Sequence, residues 1–498
     1  MKKFFALLLA LAVLICCFAC GDDKSPDETG TGGTQNTGGT DTGSDTVGET
    51  EEDLDPKLEE QDFGGGKMIF LDRDRGTNYK EIGIFEDSAN NVDSAVYWRN
   101  FKLNEKYNIE IDVLYKEFNQ IHTFAAEMME ANDLCFDVIM AGPMYQINLA
   151  TTEMLYEKSD IPVIDFNKAY WSQTVMKDTS IADKNYFFVS DANMWAMNAA
   201  GVVFFNTELV KELNFEKTPY DLVNEDNWTY DVMHSMSRQA YSDLDADGVV
   251  SLGDRFGSVS TPAATDTMFA GFDGLILTKN AQDIPELSVT TDSNIEKIQK
   301  IIEFWAEDSS LYITRFPSYA SPRPGGNLLA DTLLDGRALF SQEQLYQLSS
   351  FADSKYVIGM VPCPKYDENQ ENYKTYIHIA HSSSFSIPRL MGSERLTQVA
   401  TVLEDMAYLS HTDVKSAYYD VNLKLRRAQD DESSAMLDII FSNLTIDLGV
   451  VLQISGCDAN TVIRQLVFDK NNAVSSALNG KVETYNSLIN NLVESFTK

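Results

Sequence analysis

The chain shows strand-like patterns at three places between residues 66 and 141. Residues 68–71 form a short apolar run that stops at the charged residues 72–74, a pattern typical of a buried strand running into a polar loop. Apolar and polar side chains alternate over 109–113, and a second apolar run covers 136–141. All three segments are predicted strands.

Helical patterns fill the gaps between those strands. Residues 94–106 are a predicted helix, and residues 121–129 carry apolar side chains at i, i+3, i+4, i+7 and i+8. Strand, helix, strand, helix, strand in this order predicts an α/β unit with a parallel sheet. Open sheets of this kind bind ligands beyond the carboxyl ends of their strands. Those ends are Asp72–Asp74 and Gly142–Tyr145 here, unless both are merely solvated loops.

The second half continues in the same style without copying the first. A strand is predicted at 202–205, a helix at 208–213 and a further helix after Asn227. We find no internal repeat. About 430 residues with this patterning are more than one core usually holds, so two domains are predicted.

The N-terminus has the pattern of a signal peptide. Two lysines precede an apolar run, 4–18, that is too short to span a bilayer comfortably. A small residue then precedes Cys20 and the chain turns polar, which resembles the bacterial lipobox, although Cys17 stands where that motif usually has Leu. We therefore predict a signal peptide over 1–19 and a lipid on Cys20 that holds the protein on the outer face of the cell membrane. An ordinary cleaved signal peptide is the alternative.

Residues 20–62 are predicted to form a disordered tether. After the cysteine this segment is rich in Gly, Thr, Ser and Asp and has no aromatic residue, so it cannot bury a core. A Gly-rich coil of roughly 40 residues has an end-to-end distance of about 35 Å. That reach would let a globular body move above a membrane.

Charge and cysteine content narrow the class of protein. The 39 basic and 76 acidic side chains give a net charge of -37, which argues against a nucleic-acid partner. Beyond the predicted lipid site, Cys135, Cys363 and Cys457 lie far apart in sequence. Their number and spacing fit neither a disulfide framework nor a zinc site, so we predict buried free thiols.

An acidic segment over 243–254 has the spacing of an EF-hand calcium loop. Such a loop supplies oxygen ligands at positions 1, 3, 5, 7, 9 and 12 and a glycine at position 6. The glycine is Gly248, and an Asp closes the loop where sensor EF-hands have Glu, which suggests a structural calcium ion. An acidic surface turn is the alternative. The predicted ligands are Asp243, Asp245, Asp247, the carbonyl of Val249, Ser251 and Asp254.

Several stretches in fixed order carry a family resemblance. "GVVFFNTELVKELNF" is followed by "TPYDLVNEDNWTYDVMHSMSRQAYSDLDADG", and later by "LLDGRALFSQEQLY", "YVIGMVPCPKYDENQENY" and "SSFSIPRLMGSERLTQVATVLEDMAYLS". This order resembles the extracellular solute-binding proteins of ABC transporters, the large family that includes the maltose-binding proteins. The likeness covers roughly residues 66 to 498.

The resemblance implies a two-lobed α/β architecture of the periplasmic-binding-protein type II, with hinge strands that cross between the lobes. The first lobe is expected to comprise 63–190 and 341–388, and the second lobe 191–340 and 389–498. The lobes would close on a solute, a carbohydrate by family although peptides and other solutes stay open, and present it to an ABC permease. The protein would act as a monomer and not as an enzyme.

The resemblance also places the ligand site. The chain is expected to cross between lobes near 188–195 and to return near 338–346. Aromatic faces stack on pyranose rings and carboxylates or amides bind sugar hydroxyls, so both residue types are expected there. The candidate ligand-binding residues are Asp72, Arg73, Tyr145, Asp191, Asn193, Trp195, Gln342 and Tyr346.

Two other classes of protein stay open. An exported glycan hydrolase needs two placed carboxyl groups that a sequence cannot reveal, although the chain has no G-x-S-x-G, H-E-x-x-H or P-loop motif. A dockerin-like adhesion protein would use the calcium loop, but dockerins carry two such loops. His378 and His381 have a spacing that metal ligands can use, and we interpret them as surface or loop residues.

Overall fold

A computed structural model describes residues 54–76, 80–251, 253–261, 263–312, 328–351, 354–419 and 431–498. The predicted signal peptide, Cys20 and most of the predicted tether lie outside these residues. The end of the predicted tether packs on the first lobe, because Leu54 is buried in its core and the Gln61 N–H donates to the Lys106 carbonyl oxygen at 3.2 Å. Among the helices of the described ranges, none has both the length and the apolar character needed to cross a membrane.

Strands and helices alternate along most of this chain. The strands are β1 (Gly66–Arg73), β2 (Ile109–Lys116), β3 (Val138–Ala141), β4 (Gly201–Asn206), β5 (Phe256–Ser260), β6 (Leu277–Lys279), β7 (Pro285–Leu287), β8 (Ser310–Tyr312), β9 (Ala338–Gln344), β10 (Ile358–Pro362), β11 (Thr375–Tyr376), β12 (Ser384–Ser386) and β13 (Leu444–Thr445).

The α-helices vary from one turn to nearly five turns. They are α1 (Asn91–Tyr107), α2 (Ile121–Glu130), α3 (Pro143–Thr151), α4 (Gln173–Thr179), α5 (Met194–Asn198), α6 (Thr207–Glu212), α7 (Pro219–Asn224), α8 (Tyr230–Ala240), α9 (Ala263–Gly271), α10 (Asp292–Ala306), α11 (Leu328–Leu334), α12 (Ser393–Leu409), α13 (Asp431–Ser442), α14 (Leu448–Val451), α15 (Ala459–Phe468), α16 (Val474–Asn479) and α17 (Val482–Thr497).

The first lobe is built on a four-stranded sheet in the order β12-β3-β1-β2. β1 runs parallel to β2, with Phe70 opposite Val113, and parallel to β3, with Phe70 opposite Val138. β12 returns from much later in the chain and pairs antiparallel with β3. The parallel α/β unit predicted from the first 75 residues of hydrophobic pattern is confirmed.

The second lobe is built on a five-stranded sheet in the order β10-β4-β9-β5-β8. β4 is antiparallel to both β9 and β10, whereas β5 is parallel to β8 and β9. Trp228 and Trp305 are fully buried in its core, and the Trp228 indole donates to the Pro362 carbonyl oxygen at 2.9 Å. Both sheets are therefore mixed, but in the first lobe only the late strand β12 is antiparallel to its neighbour.

Two segments lie in the lobe opposite to the one expected from the resemblance. β10 falls inside 341–388, which was assigned to the first lobe, yet it pairs with β4 in the second sheet. α12 falls inside 389–498, which was assigned to the second lobe, yet it packs on α1 and on the first-lobe core. Strand pairing and helix packing decide these memberships, so the chain crosses between lobes after β10 and again after α12.

The crossing segments run side by side between the two sheets. Phe188 pairs with Phe385 and Ala200 pairs with Ile377, both in antiparallel bridges. The Phe188 N–H donates to the Phe385 carbonyl oxygen at 2.8 Å, and the Phe385 N–H donates to the Phe188 carbonyl oxygen at 2.7 Å. Backbone pairing therefore joins the crossing segments to one another.

The three described cysteines are free thiols. Cys363 and Cys457 are buried, as predicted, and burial raises the pKa of the Cys457 thiol to about 12. The prediction is wrong for Cys135, which is exposed because it follows α2 in the loop that leads to β3.

Candidate functional site

Polar and aromatic side chains from both lobes meet where strands of the two sheets end. Asp72 and Arg73 close β1, Tyr145 lies in the first turn of α3 directly after β3, and Tyr346 follows β9. The Tyr145 and Tyr346 hydroxyl groups both act electrostatically on Arg73, so the three side chains share one site. We call Asp72, Arg73, Arg75, Tyr145, Trp195 and Tyr346 the cleft cluster.

Trp195 lies at the base of the cleft cluster. It is 4% exposed, and its ring centroid is 5.7 Å from that of Tyr346. The Arg75 guanidinium carbon lies 4.4 Å from the Trp195 ring centroid, in a cation–π arrangement. One face of the indole is therefore already covered by Arg75, and the half-buried Tyr346 ring presents more surface to the cleft than Trp195 does.

A buried carboxylate, Glu81, ties this base together. Its Oε1 accepts the Trp195 N–H at 2.8 Å and the Ser383 hydroxyl at 2.6 Å, and its Oε2 lies 3.7 Å from Arg75 Nη2. Arg99, also fully buried, donates to the Glu81 carbonyl oxygen at 2.7 Å. Burial raises the pKa of Glu81, and the neighbouring guanidinium groups act in the opposite direction.

Asp72 is the acidic residue of the cleft cluster, and its pKa is strongly shifted. The side chain is 2% exposed, and burial raises its pKa to about 7, although Arg75 opposes the shift. One carboxyl oxygen accepts the Arg73 N–H at 2.6 Å. Asp72 can therefore hold a proton near neutral pH, and it can either donate or accept a hydrogen bond there.

Arg73 reaches from the first lobe toward the crossing segments. Its Nη1 donates to the Ala380 carbonyl oxygen at 3.0 Å, and its guanidinium carbon lies 5.1 Å from the ring centroid of Phe118. Phe118 is 42% exposed, and its ring contacts Tyr145 edge-on with centroids 6.2 Å apart. Arg73 thus stands beside the exposed ring of Phe118, which in turn contacts the nearly buried ring of Tyr145.

His378 and His381 are in a loop, as interpreted, but they are not on the surface. Their rings stack with centroids 4.6 Å apart, and burial lowers their pKa values to about 4 and about 3. His381 Nδ1 lies 2.5 Å from Gln344 Oε1, and the His381 carbonyl oxygen accepts from Arg75 Nη1 at 3.1 Å. Both imidazoles are neutral at neutral pH and line the floor beside Tyr346.

Of the eight candidate ligand-binding residues, five belong to the cleft cluster and three lie elsewhere. Asp191 Oδ2 contacts His411 Nδ1 at 2.5 Å, and Asp191 Oδ1 contacts Lys415 at 3.1 Å. Asn193 is buried and accepts the Ser190 N–H at 2.9 Å. Gln342 lies within β9 opposite Val203, and its amide points to the sulfur of Met233 in the second-lobe core.

Asp191 and Asn193 border a separate cavity of about 550 Å³. None of the cleft cluster lines it, and its polar walls include Gln173 and Lys415. Sequence reasoning placed both residues at the ligand site because they lie on the crossing segment, yet neighbouring residues of that segment face different sides of it.

Several cleft residues have no signal in the sequence pattern. Arg75 lies two positions after Arg73 in a loop, where charged residues are common. Glu81, Phe118 and Gln344 belong to three different stretches of the chain and meet only in the folded structure. The spacing of His378 and His381 was visible, but a spacing alone does not report burial.

The acidic loop lies between α8 and β5, and its ends are joined by the Ser242–Arg255 bridge. Carboxylate oxygens of Asp243, Asp245 and Asp247 lie within 4.8 Å of one another. Gly248 adopts a φ of 73°, which a glycine at this turn permits. The oxygen donors are of the kind that calcium prefers, so the residues present fit that ion.

Asp254 closes the loop from the inside. It is fully buried and accepts the Ser251 N–H at 2.7 Å and the Leu244 N–H at 3.3 Å. Asp243 accepts the N–H groups of Ala246 and Gly248 at 2.7 and 2.9 Å. These bonds hold the loop in shape. Asp243, Asp245 and Asp247 cluster at its surface, whereas the predicted ligand Asp254 is not part of that cluster and bonds to the loop backbone.

Comparison with solved structures identifies the fold. No protein-family model matches the chain, and no curated protein matches it in sequence. Solved structures do match, among them an ABC substrate-binding protein from Listeria monocytogenes in complex with cycloalternan. It has a TM-score of 0.55 at 11% identity, over 85% of this chain and 99% of that one.

Two further matches agree with the first. The GacH receptor of Streptomyces glaucescens, solved without ligand and with acarbose, has a TM-score of 0.54 at 11% identity, over 86% of this chain and 99% of that one. A cyclic alpha-maltosyl-1,6-maltose binding protein from Arthrobacter globiformis has a TM-score of 0.53 at 11% identity, over 85% and 99%. The chain therefore has the two-lobed α/β fold of these substrate-binding proteins, as the resemblance in sequence predicted.

Proposed function

We propose that this protein is the solute receptor of an ABC importer, that its ligand is a saccharide, and that the two lobes close on that ligand at the cleft cluster. The observation that carries the proposal is the meeting of aromatic and polar side chains between strand ends of both sheets, on a fold whose solved neighbours hold saccharides. Ligands of open α/β sheets bind at such strand ends.

The residues of the cleft cluster suit a sugar. Tyr346, Tyr145 and Phe118 offer rings of which at least part is accessible, and such rings can pack on the apolar face of a pyranose. Asp72 can accept or donate a hydrogen bond to a hydroxyl group because its pKa lies near 7. Because first-lobe and second-lobe residues both contribute, ligand contact would favour the closed arrangement.

A hydrolase would need a carboxylic acid and a second carboxylate free to act on a glycosidic bond. Glu81 is fully buried, and its Oε1 already accepts two hydrogen bonds. This arrangement supports a binding role over catalysis at the cleft cluster.

The test is a thermal shift screen of the purified protein against oligosaccharides, with chromatography of the same samples for released monosaccharide. A receptor is expected to gain stability that grows with the logarithm of ligand concentration above the Kd, and to release no product. A Tyr346→Ala variant should lose the shift. Release of monosaccharide by the parent protein would contradict the proposal of a receptor and would indicate an enzyme.

The proposal includes the cell-envelope part of the system. A lipid on Cys20 and a tether would keep the receptor near a permease on the outer face of the membrane, which agrees with the pattern of residues 1–62. The Cys20→Ser protein is expected in the culture medium or the soluble envelope fraction. Its retention in washed membranes would contradict lipid attachment at Cys20.

We also propose that the acidic loop binds one structural calcium ion. The ligand spacing over 243–254 and the proximity of three carboxylates support this assignment. Calorimetric titration with calcium should show one site, and titration with magnesium should show a much weaker one. The ion would brace the connection between α8 and β5 and take no part in ligand chemistry.

A further inference from the structure

Both arginines near the cleft keep a guanidinium N–H group without a hydrogen-bond acceptor among the described residues. Arg73 uses Nη1 for the Ala380 carbonyl oxygen and Arg75 uses Nη1 for the His381 carbonyl oxygen. Within the described part of the chain, the buried Nε atoms of Arg73 and Arg75 have no hydrogen-bond partner, and Nη2 of Arg75 has only the Glu81 carboxylate at 3.7 Å. Unpaired buried donors are rare in folded proteins because each costs free energy, so a partner from outside the chain is a natural explanation.

The two arginines differ in their carboxylate neighbours. Arg75 is nearly fully buried, with 3% of its side chain exposed, and lies 3.7 Å from Glu81, which Arg99 also approaches. Arg73 has no carboxylate oxygen within ion-pair distance among the residues that the structure describes, although Asp72 lies beside it in sequence. Arg73 is thus a cation without a fixed counter-ion at the mouth of the cleft.

Positive charge is concentrated around Arg73 itself. The Arg75 guanidinium group acts electrostatically on Arg73. Asp72 is the carboxyl group next to Arg73, and burial raises its pKa to about 7, so it is only partly ionised at neutral pH. Glu81 lies on the side of Arg75, and Glu343 acts on Tyr346. Surface charges more than about 10 Å away are largely screened at physiological salt.

We infer that the ligand is an acidic saccharide and that Arg73 binds its carboxylate through the Nε–Nη2 edge of the guanidinium. This inference rests on the proposed function and names the chemical class of the sugar. A carboxylate matches the planar fork of arginine with two parallel hydrogen bonds, which a hydroxyl group cannot do. The Phe118 and Tyr145 rings stand beside Arg73, where the pyranose that bears the carboxylate would pack.

The test uses matched pairs of sugars that differ in one group. Oligogalacturonates and oligoglucuronates are each compared with the same oligosaccharide after reduction of the carboxylate to a primary alcohol, by calorimetry and thermal shift. The acidic member should bind at least 10-fold more tightly, since hydrogen bonds to charged groups contribute roughly 10- to 100-fold in affinity. A sulfated oligosaccharide forms a third arm, because a sulfate is also anionic but is not planar.

Variants at Arg73 separate charge from shape. Arg73→Gln should remove the preference for the acidic sugar, and Arg73→Lys should keep part of it. Arg389→Gln, a change at a half-exposed arginine outside the cleft cluster, is the control and should leave the preference unchanged. Arg73 forms no ion pair with the described residues, and its replacement removes one hydrogen bond, to the Ala380 carbonyl oxygen, so the melting temperature without ligand should fall only slightly.

The outcomes distinguish this inference from the proposed function. Equal or tighter binding of the neutral sugars would contradict the inference that the ligand is acidic, and it would leave the proposed saccharide receptor in place. Tighter binding of the sulfated sugar would contradict the inference that the bound anionic group is a carboxylate. If no saccharide of any arm binds, the proposed function fails together with the inference.

Discussion

The cleft cluster and the acidic loop use the same residue type in opposite ways. The cleft cluster and the Glu81 network below it bury Asp72, Glu81, Arg75 and Arg99, which come from stretches of chain that the fold brings together. The loop gathers its carboxylates within twelve consecutive residues, and three of them remain near the surface. Burial raises the pKa of Asp72 to about 7, whereas a backbone N–H from Gly248 lowers the pKa of Asp243. Environment, more than residue type, therefore decides what a carboxyl group does in this protein.

The largest effect is expected from removal of the buried carboxylate. Glu81→Ala should lower the free energy of unfolding by about 3–5 kcal/mol, because Arg75 and Arg99 would keep their charges in a buried site without it. Urea unfolding measures the change. The exposed Glu105→Ala on α1 serves as the control and should change stability by less than about 0.5 kcal/mol. A similar small change for both variants would show that Glu81 does not hold the cleft together.

A pH-dependent effect is expected at Asp72. Its pKa is about 7 in the folded protein and near 4 when unfolded, so the folded state retains a proton that the unfolded state has lost between those values. The contribution of Asp72 to the free energy of unfolding is largest below about pH 4 and is lost as the pH rises to about 7. Arg75, Glu81 and Arg73 act electrostatically on this carboxyl group, and its charge in turn contributes to the raised pKa of Tyr115.

The variant Asp72→Asn removes that titration. Relative to the parent protein it should gain on the order of 2–4 kcal/mol in the free energy of unfolding between pH 5 and pH 8. Urea unfolding of both proteins at several pH values gives the difference directly. A difference that stays constant with pH would mean that Asp72 is ionised throughout, as an exposed aspartate would be.

A smaller effect is expected when the ring at Tyr346 is lost. Tyr346→Leu keeps an apolar side chain of moderate size and should weaken saccharide binding by about 0.5–1.5 kcal/mol, the usual contribution of an aromatic contact. Tyr356→Leu, in the second lobe outside the cleft cluster, is the matched control. Calorimetry should find reduced affinity for Tyr346→Leu alone. Equal loss in both variants would point to general damage to the second lobe.

The smallest effect on stability is expected in the acidic loop. Without calcium, Asp245→Asn should change the free energy of unfolding by less than about 0.5 kcal/mol, because the side chain is exposed and bonds only within the loop. With calcium, the parent protein should be stabilised and the variant should not. Stabilisation of both proteins to the same extent would place the ion elsewhere.

Patterns that repeat over short distances predicted much of the first lobe. The apolar run at 68–71, the alternation at 109–113 and the run at 136–141 all lie in parallel strands of one sheet. Lobe membership was harder to predict, and β10 and α12 lie in the lobes opposite to those expected. The sequences of β10 and α12 do not indicate which lobe these elements join. Only the strand or helix that each of them packs against decides its lobe.

The candidate site shows the same division between local and distant information. Asp72, Arg73 and Tyr145 could be found because they end predicted strands, and Trp195 and Tyr346 because the family resemblance marked the crossings. Gln342 was misplaced because position within a strand does not tell which neighbour the side chain meets, and here that neighbour is Met233. The calcium loop stays a prediction that the geometry of its carboxylates supports.

The sequence by itself determined the elements, the parallel order of the first sheet, the spacing of the acidic loop and the ends of the strands where a ligand would bind. These features depend on residues that are close along the chain, where periodicity and turn chemistry act. The tertiary structure alone decided that Arg75 covers Trp195, that Glu81 links Ser383 to the start of α5, and that Arg73 forms no ion pair with any described residue. Burial and charge at a site depend on every segment packed around it, and those segments meet only when the chain has folded.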